Sequence, residues 1–261
     1  MSNIRHDLSN EEYHSSDAIS SSDVKTVLTS SLFHWKNKRF KSSVAMDLGT
    51  AVHSMVLEPH LDAVVRGPET RRGKAWSEMK AECDAQEKTL LTEADYDLCD
   101  DMATSVMADP TCAKMLSAKD GIREASIFVD CPETGLKLRC RPDIYVPSTL
   151  VMGDLKTTRD ASPHEFTRQV YSLRYDVQAA FYSYVAELAG WNVQYFAFAA
   201  VENTPPHAAC LHTLSMEAMD LGRRDMFKAL HEIAEAKQKN EFKTNWPSFN
   251  MIYPPTWMDK D

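Results

Sequence analysis

No apolar run in this chain of 261 residues approaches the length of a membrane span, so no membrane-spanning helix is expected. The first ten residues, Met1 to Asn10, are polar and charged, and no signal peptide is expected from them. No C-x-x-C pair occurs among the six cysteines, Cys83, Cys99, Cys112, Cys131, Cys140 and Cys210. That argues against a zinc or iron–sulfur site made from cysteines and for buried free thiols in a reducing cytoplasm. Internal repeats, low-complexity tracts and Gly/Ser linkers are also missing, and one domain over residues 1–261 is expected. A surplus of positive charge is lacking too: 29 Lys and Arg face 38 Asp and Glu, a net charge of −9. Nucleic-acid binders are usually basic, because phosphate neutralisation drives their affinity. An acidic total therefore confines any such contact to a channel or groove. Two short basic clusters exist, Lys36-Asn37-Lys38-Arg39-Phe40-Lys41 and Arg71-Arg72-Gly73-Lys74. Taken alone, each reads as a solvated face or loop.

What the chain does have is enough apolar sequence, 43%, for a sizeable core. Ser20-Ser21-Ser22-Asp23 offers several caps to a helix carrying Val24, Val27 and Leu28. Leu48, Val52, Met55 and Val56 recur at helical spacing over Val44 to Leu57, and Glu58-Pro59 stops that helix. Further helices are expected over 75–88, 93–107 and 111–118, after an exposed loop at 68–74. The pattern changes at Gly121. Strands are expected over 125–130, 136–145 and 150–156, linked as an antiparallel meander. A helix from about Ser162 follows, then one from Tyr175 to Ala189 ended by Gly190. Val193 to Val201 reads as a central strand, Cys210 to Leu214 as an edge strand, and Met216 to Lys239 as an amphipathic helix. The expectation is an α/β fold: a mainly helical layer over 1–120, a small mixed sheet with its helices over 121–214, and a C-terminal helix and tail over 215–261.

Chemistry concentrates at Arg141-Pro142-Asp143 and, eleven residues after that aspartate, Asp154-Leu155-Lys156. The two-residue period of a strand puts Asp154 and Lys156 on one face. The short turn Val146-Pro147-Ser148-Thr149 lets the strands pair and brings Asp143 alongside. Two carboxylates can hold Mg²⁺, and a lysine beside them can orient or deprotonate a bound water. Glu124 would join them if the strands pair in order; alone, it reads as a charge at a strand end. Three acids in one place repel unless a cation is present, so the group itself argues for a metal. His53 lies on an otherwise apolar helix, where it is either a packed residue or a ligand turned toward the acids. Gln178 and Tyr182, one helical turn apart, face the same way and could hold the lysine or a phosphate.

Together, Pro142-Asp143, Asp154-Leu155-Lys156 and the Gln178-x-x-x-Tyr182 pair resemble the PD-(D/E)xK nuclease superfamily in its RecB-like branch. Wording across nearly the whole chain is similar to the nuclease domains of the exodeoxyribonuclease VIII (RecE) family. It runs through Leu8 to His14, Asp47 to His53 with Leu57-Glu58-Pro59, Pro132 to Gly135, Cys140 to Asp143, Asp154 to Thr158 and Val177 to Ser183. The resemblance implies a PD-(D/E)xK core and Mg²⁺-dependent 5′-to-3′ digestion of one strand of linear double-stranded DNA, with Mn²⁺ as a substitute metal. It implies that His53, Glu124, Asp143, Asp154 and the Leu155 carbonyl surround two metals, that Lys156 activates water, and that Gln178 and Tyr182 buttress the site. A ring-shaped homotetramer is implied, whose lumen alone need be basic, as is a single-strand annealing partner of the RecT type. RecE itself has a long N-terminal region that this chain lacks, implying a stand-alone phage or prophage version in the bacterial cytoplasm. Related ring exonucleases catch the 5′-phosphate in a small polar pocket, for which Ser20 and Ser22, or Arg71 and Arg72, are candidates. The competing readings are an endonuclease on the same core, a Cas4-like nuclease, which the cysteine spacing does not favour, and a non-catalytic DNA-binding protein that kept the fold.

Overall fold

The fold is taken from a computed structural model that describes residues 3–6, 8–39, 44–255 and 258. Strand β1 (Asn3–Arg5) opens the chain and is followed by helices α1 (Asn10–Ser15), α2 (Ser21–Thr29), α3 (Leu32–Lys36) and α4 (Val44–Leu57). At the start of α2 the Asp23 carboxylate accepts from both the N–H and the hydroxyl of Ser20, at 2.8 and 2.6 Å, as the serine-rich sequence anticipates. Next come β2 (Val64–Arg66), α5 (Lys74–Ala85), β3 (Thr89–Leu91), α6 (Glu93–Ala108) and α7 (Pro110–Leu116). The central part holds β4 (Ile122–Arg123), β5 (Ser126–Asp130), β6 (Lys137–Cys140), β7 (Ile144–Val146) and β8 (Val151–Thr158). The chain then forms α8 (Pro163–Ser172), α9 (Tyr175–Leu188), β9 (Tyr195–Glu202), β10 (Ala209–Thr213) and α10 (Met216–Lys239).

The main sheet has five strands in the order β10-β9-β8-β7-β4. It is mixed, because β8 and β9 run parallel while the other neighbours are antiparallel. Helix α9 makes the crossover that a parallel pair requires. Side chains of β9 alternate between two buried cores, the pattern of a strand covered on both faces. Phe196, Phe198 and Ala200 point to the core that also holds Val24 of α2, Phe181 of α9 and Leu230 of α10. Ala197, Ala199 and Val201 point to the core with Val52 of α4, Met102 of α6 and Leu116 of α7. This is the α/β arrangement expected from the sequence, with helices on both faces of a mixed sheet.

The expected meander is not what forms. β5 and β6 pair with β1 in a separate three-stranded sheet, whereas β7 and β8 belong to the main one. The stretch read as one strand over 136–145 breaks at Arg141-Pro142-Asp143 and passes from one sheet to the other. Pro142 has no N–H to donate, so a ladder cannot run through it. The Arg141 side chain fastens the crossing, donating to Ser126 Oγ at 2.8 Å, Asn10 Oδ1 at 2.6 Å and the Leu8 carbonyl at 2.9 Å. The short strands β1, β2 and β3 were not expected; each has three residues, too few to show a period. All six cysteines are free, five of them buried. Among the described residues no helix is long and apolar enough to cross a membrane.

Helices α9 and α10 approach most tightly at Gly222, where an added Cβ would lie 2.3 Å from the carbonyl oxygen of Asp176. The same corner is locked by Arg174, whose guanidinium reaches Asp176 at 3.1 Å and Asp225 of α10 at 2.6 Å. Gly222→Ala is expected to destabilise the protein by about 1–3 kcal/mol through overpacking against rigid backbone. Urea unfolding of the variant would read this as a lower midpoint at unchanged slope; an unaltered midpoint would contradict the tight approach.

Candidate active site

β7 pairs with β8 through Val146–Val151, Tyr145–Met152 and Ile144–Gly153. Carried one step on, this antiparallel register sets Asp143 across from Asp154. The Leu155 N–H donates to Asp143 Oδ2 at 2.6 Å, so backbone of one strand holds the carboxylate of the other. Both aspartates are buried. Gly153 precedes Asp154 because the position has no room: an added Cβ would meet Met115 Sδ at 2.7 Å and Ile144 Cγ2 at 2.9 Å.

Alternation along β8 sends Leu155 into the core under α4 and turns Asp154 and Lys156 the other way. There the Lys156 ammonium pairs with Asp154 Oδ2, and Gln178 Nε2 of α9 donates to Asp154 Oδ1 at 2.6 Å. From the opposite side His53 of α4 enters the site. Its Nε2 is 2.8 Å from the Leu155 carbonyl oxygen, and its Nδ1 is 3.3 Å from Asp143 Oδ2. Glu124 follows the two residues of β4 in left-handed backbone, φ 49°, with its N–H bonded to the Asp143 carbonyl at 3.3 Å. That conformation is strained for a residue with a Cβ and marks the turn that brings Glu124 in from the sheet edge. Ligand atoms of His53, Glu124 and Asp143 all lie within 4.8 Å of one another. Among the described residues this is the one such group of His, Cys, Asp or Glu side chains.

Electrostatics set this group apart. Burial, then Asp143 and Glu58, push the Glu124 carboxyl up to about 9. Burial pushes Asp143 up to about 6, against the pull of His53 and with Asp154 adding to the rise. Lys156 is lowered by burial, but Asp154, Tyr175 and Asp143 outweigh this and leave it raised. Two carboxylates whose charge is this disfavoured, an imidazole and the Leu155 carbonyl form a donor set that suits a divalent cation taking mainly oxygen ligands. The residues fit such an ion. Burial, reinforced by Tyr13 and Asp154, holds the Tyr182 phenol well above its usual value, so it stays neutral. Asp154 lies outside the three-residue group, engaged by Lys156 and Gln178.

The phosphate-pocket candidates fall in two places. Ser20 donates to Asp23, while exposed Ser22 accepts from Lys38 Nζ at 3.0 Å, near the site. Arg71 is tied to Asp95 at 2.9 Å and lies over the Trp76 ring, and no contact brings Arg71 or Arg72 to the acids among the described residues. In the other basic cluster, Lys36 lies over Phe242, while Phe40 and Lys41 fall outside the described residues. The site also holds residues the sequence did not single out. Lys25 of α2 reaches Gln178 Oε1 at 3.4 Å, and both Lys25 and Lys156 lie over the Tyr175 ring. Burial and then Lys156 lower the Lys25 ammonium to about 8. A lysine beside Val24 on a helix carries no sequence signal that it points inward. Glu58 was noted only as a helix stop, yet its charge reaches Glu124.

A carboxyl whose pKa is raised on folding favours the folded state below its unfolded pKa, and that contribution disappears as pH rises through the folded value. For Glu124 the window runs from about 4.5 to about 9. Melting temperature of the metal-free protein is therefore expected to fall as pH rises across this window. Glu124→Gln should flatten the decline, and added Mg²⁺ or Mn²⁺ should raise the wild-type melting temperature most at the alkaline end. Parallel wild-type and E124Q profiles would sink the assignment.

Residues 21–246 match the family described as a PDDEXK-like domain of unknown function, DUF3799. No curated protein matches the chain significantly. Among solved structures, a protein of Eubacterium rectale provisionally called an exonuclease is similar over 98% of both chains, with a TM-score of 0.65 at 14% identity. That likeness speaks for the fold. A phage-related exonuclease from Haemophilus somnus aligns over 85% of this chain and 96% of its own, at 12% identity, but with a TM-score of 0.38 that adds no weight. With the match spanning the sheet, the acid group and the helices around them, the chain belongs to the PDDEXK-like DUF3799 family.

Proposed function

We propose that this protein is a divalent-metal-dependent exodeoxyribonuclease of the RecE type, digesting linear double-stranded DNA 5′ to 3′ and leaving a 3′ single-stranded overhang for strand annealing. The observation that carries the nuclease reading is the meeting of Asp143, Asp154 and Lys156 from β7 and β8 with Glu124, His53 and Gln178 from three other places in the chain. The choice of exonuclease, its polarity, a ring-shaped tetramer and a RecT-type partner rest on the motif wording Cys140 to Asp143, Asp154 to Thr158 and Val177 to Ser183.

In this reading His53, Glu124, Asp143 and the Leu155 carbonyl would hold the metal, with Asp154 beside them on Lys156 and Gln178. Mg²⁺ or Mn²⁺ supplies Lewis-acid charge to a phosphate and lowers the pKa of a bound water. An imidazole in the set favours Mn²⁺ more than an all-oxygen site would. The chain's own residues do the positioning. Lys156, paired with Asp154, stands where it can orient a water and offset charge on the phosphate. Gln178 fixes the Asp154 carboxylate, and Tyr182, one turn on, backs it as a neutral wall. An open groove of about 590 Å³ begins at Thr157, the residue after Lys156, and its lining carries Arg159 and Arg168 together with Asp160 and Glu165.

The test is digestion of a linear duplex labelled at one 5′ end, with Mg²⁺, beside a covalently closed circle of the same sequence. Release of label with the circle intact is the expected result. Cut circles would favour an endonuclease, and two untouched substrates a binding protein. Asp154→Ala and Lys156→Ala should each lower the rate by about a thousandfold or more while keeping the fold. Near wild-type turnover in either would remove that residue from the mechanism.

A further inference from the structure

Lys25 points into the site rather than away from α2. Its ammonium lies 3.4 Å from Gln178 Oε1 and 5.5 Å from the centre of the Tyr175 ring. Lys156 stands 4.9 Å from the centre of that same ring. Two ammoniums therefore share one aromatic side chain, but only one of them is neutralised. Lys156 has Asp154, whereas Lys25 has an amide oxygen and a π-face, with no carboxylate in salt-bridge contact among the described residues. One turn nearer the start of α2, Ser22 accepts from Lys38 at 3.0 Å, which brings a third cation to the same helix.

A half-buried cation beside another cation is unfavourable unless an anion arrives. The acid group gathers at His53, Glu124 and Asp143, whereas Lys25 has Asp154 and Asp176 only at longer range, which leaves room for an anion beside it. Gln178 joins the two halves, donating to Asp154 through Nε2 and accepting from Lys25 through Oε1.

We propose that Lys25 binds a backbone phosphate of the DNA strand being cut, next to the phosphate at the reacting centre, and that Ser22 and Lys38 continue the same track toward the start of α2. This rests on the nuclease reading and adds a substrate-binding group to it. A lysine offers a point charge without planar geometry, so the contact should be blind to sequence. Lys25 is a substrate-binding residue in this scheme, touching the phosphate directly and reaching Asp154 only through Gln178.

The experiment compares wild type with Lys25→Met, Lys25→Arg and, as a control for loss of surface charge, Lys237→Met at an exposed position of α10. Steady-state digestion of a linear duplex with Mg²⁺ should show KM about tenfold higher for K25M, with most of the loss in KM rather than kcat, and recovery in K25R. Binding of the duplex in EDTA across a range of salt should lose about 0.9 from the slope of log K against log salt in K25M and nothing in K237M. Should K25M not fold, K25R against Lys25→Gln carries the same comparison. Unchanged KM and salt slope in a folded K25M, with active wild type, would overturn the assignment of Lys25 alone. Wild type that neither binds nor cuts DNA would overturn both this inference and the nuclease reading beneath it.

Discussion

Antiparallel pairing of β7 with β8 places Asp143 across from Asp154, and the Leu155 N–H then holds the Asp143 carboxylate at 2.6 Å. The remaining parts of the site are arranged around that pair. His53 is aimed by the same two groups, the Leu155 carbonyl and the Asp143 carboxylate. Glu124 is hung from the Asp143 backbone carbonyl. A shift of one residue in this pairing would turn Asp154 and Lys156 into the core under α4 and put Leu155 in their place. The register is protected by what surrounds it. Gly153 fits only where Met115 and Ile144 leave no space for a side chain, and Leu155 and Met152 are fully buried on opposite faces.

Concentrating acids in a buried place costs stability, and the protein accepts that cost in one spot. Glu124 and Asp143 are both raised, so the metal-free fold carries electrostatic strain that a divalent cation would relieve. Around it lies a well-packed frame: two apolar cores, the Arg174–Asp176–Asp225 lock between α9 and α10, and the Arg141 clasp that fastens residues 8–10 to the crossing between the sheets. Positive charge is rationed in the same local way. Net charge is −9, yet Lys156 pairs with Asp154, Lys25 reaches the glutamine that holds Asp154, and Lys38 bonds Ser22 on the helix of Lys25.

Much of this was legible in the sequence because it is periodic or local. The helix over Val44 to Leu57 and the helix over Met216 to Lys239 match the structure to the residue, since long amphipathic patterns and hydroxyl or proline boundaries define them. Asp154 and Lys156 share a face because strands alternate, and the capping of α2 follows from its serines and Asp23. Three features were not legible. Pro142 broke a strand that alternation alone continues, so one expected meander became parts of two sheets. Strands of three residues carry no period. The basic stretch Arg71-Arg72-Gly73-Lys74 reads locally as a solvated loop, and nothing in it marks that Arg71 pairs with Asp95 of α6.

By itself the sequence determined the α/β class, the order of nearly all long elements, the shared face of Asp154 and Lys156, and the candidacy of Glu124, Asp143, His53 and Gln178. Those properties depend on neighbours in the chain or on short repeats. Only the tertiary structure decided which candidates meet. It placed His53 within reach of a strand about a hundred residues further along, kept Asp154 with Lys156 and Gln178 instead of the His53–Glu124–Asp143 group, and turned Lys25 inward. Such contacts are set by how helices pack across a sheet, and no local pattern encodes where a single polar side chain on a packed helix will end.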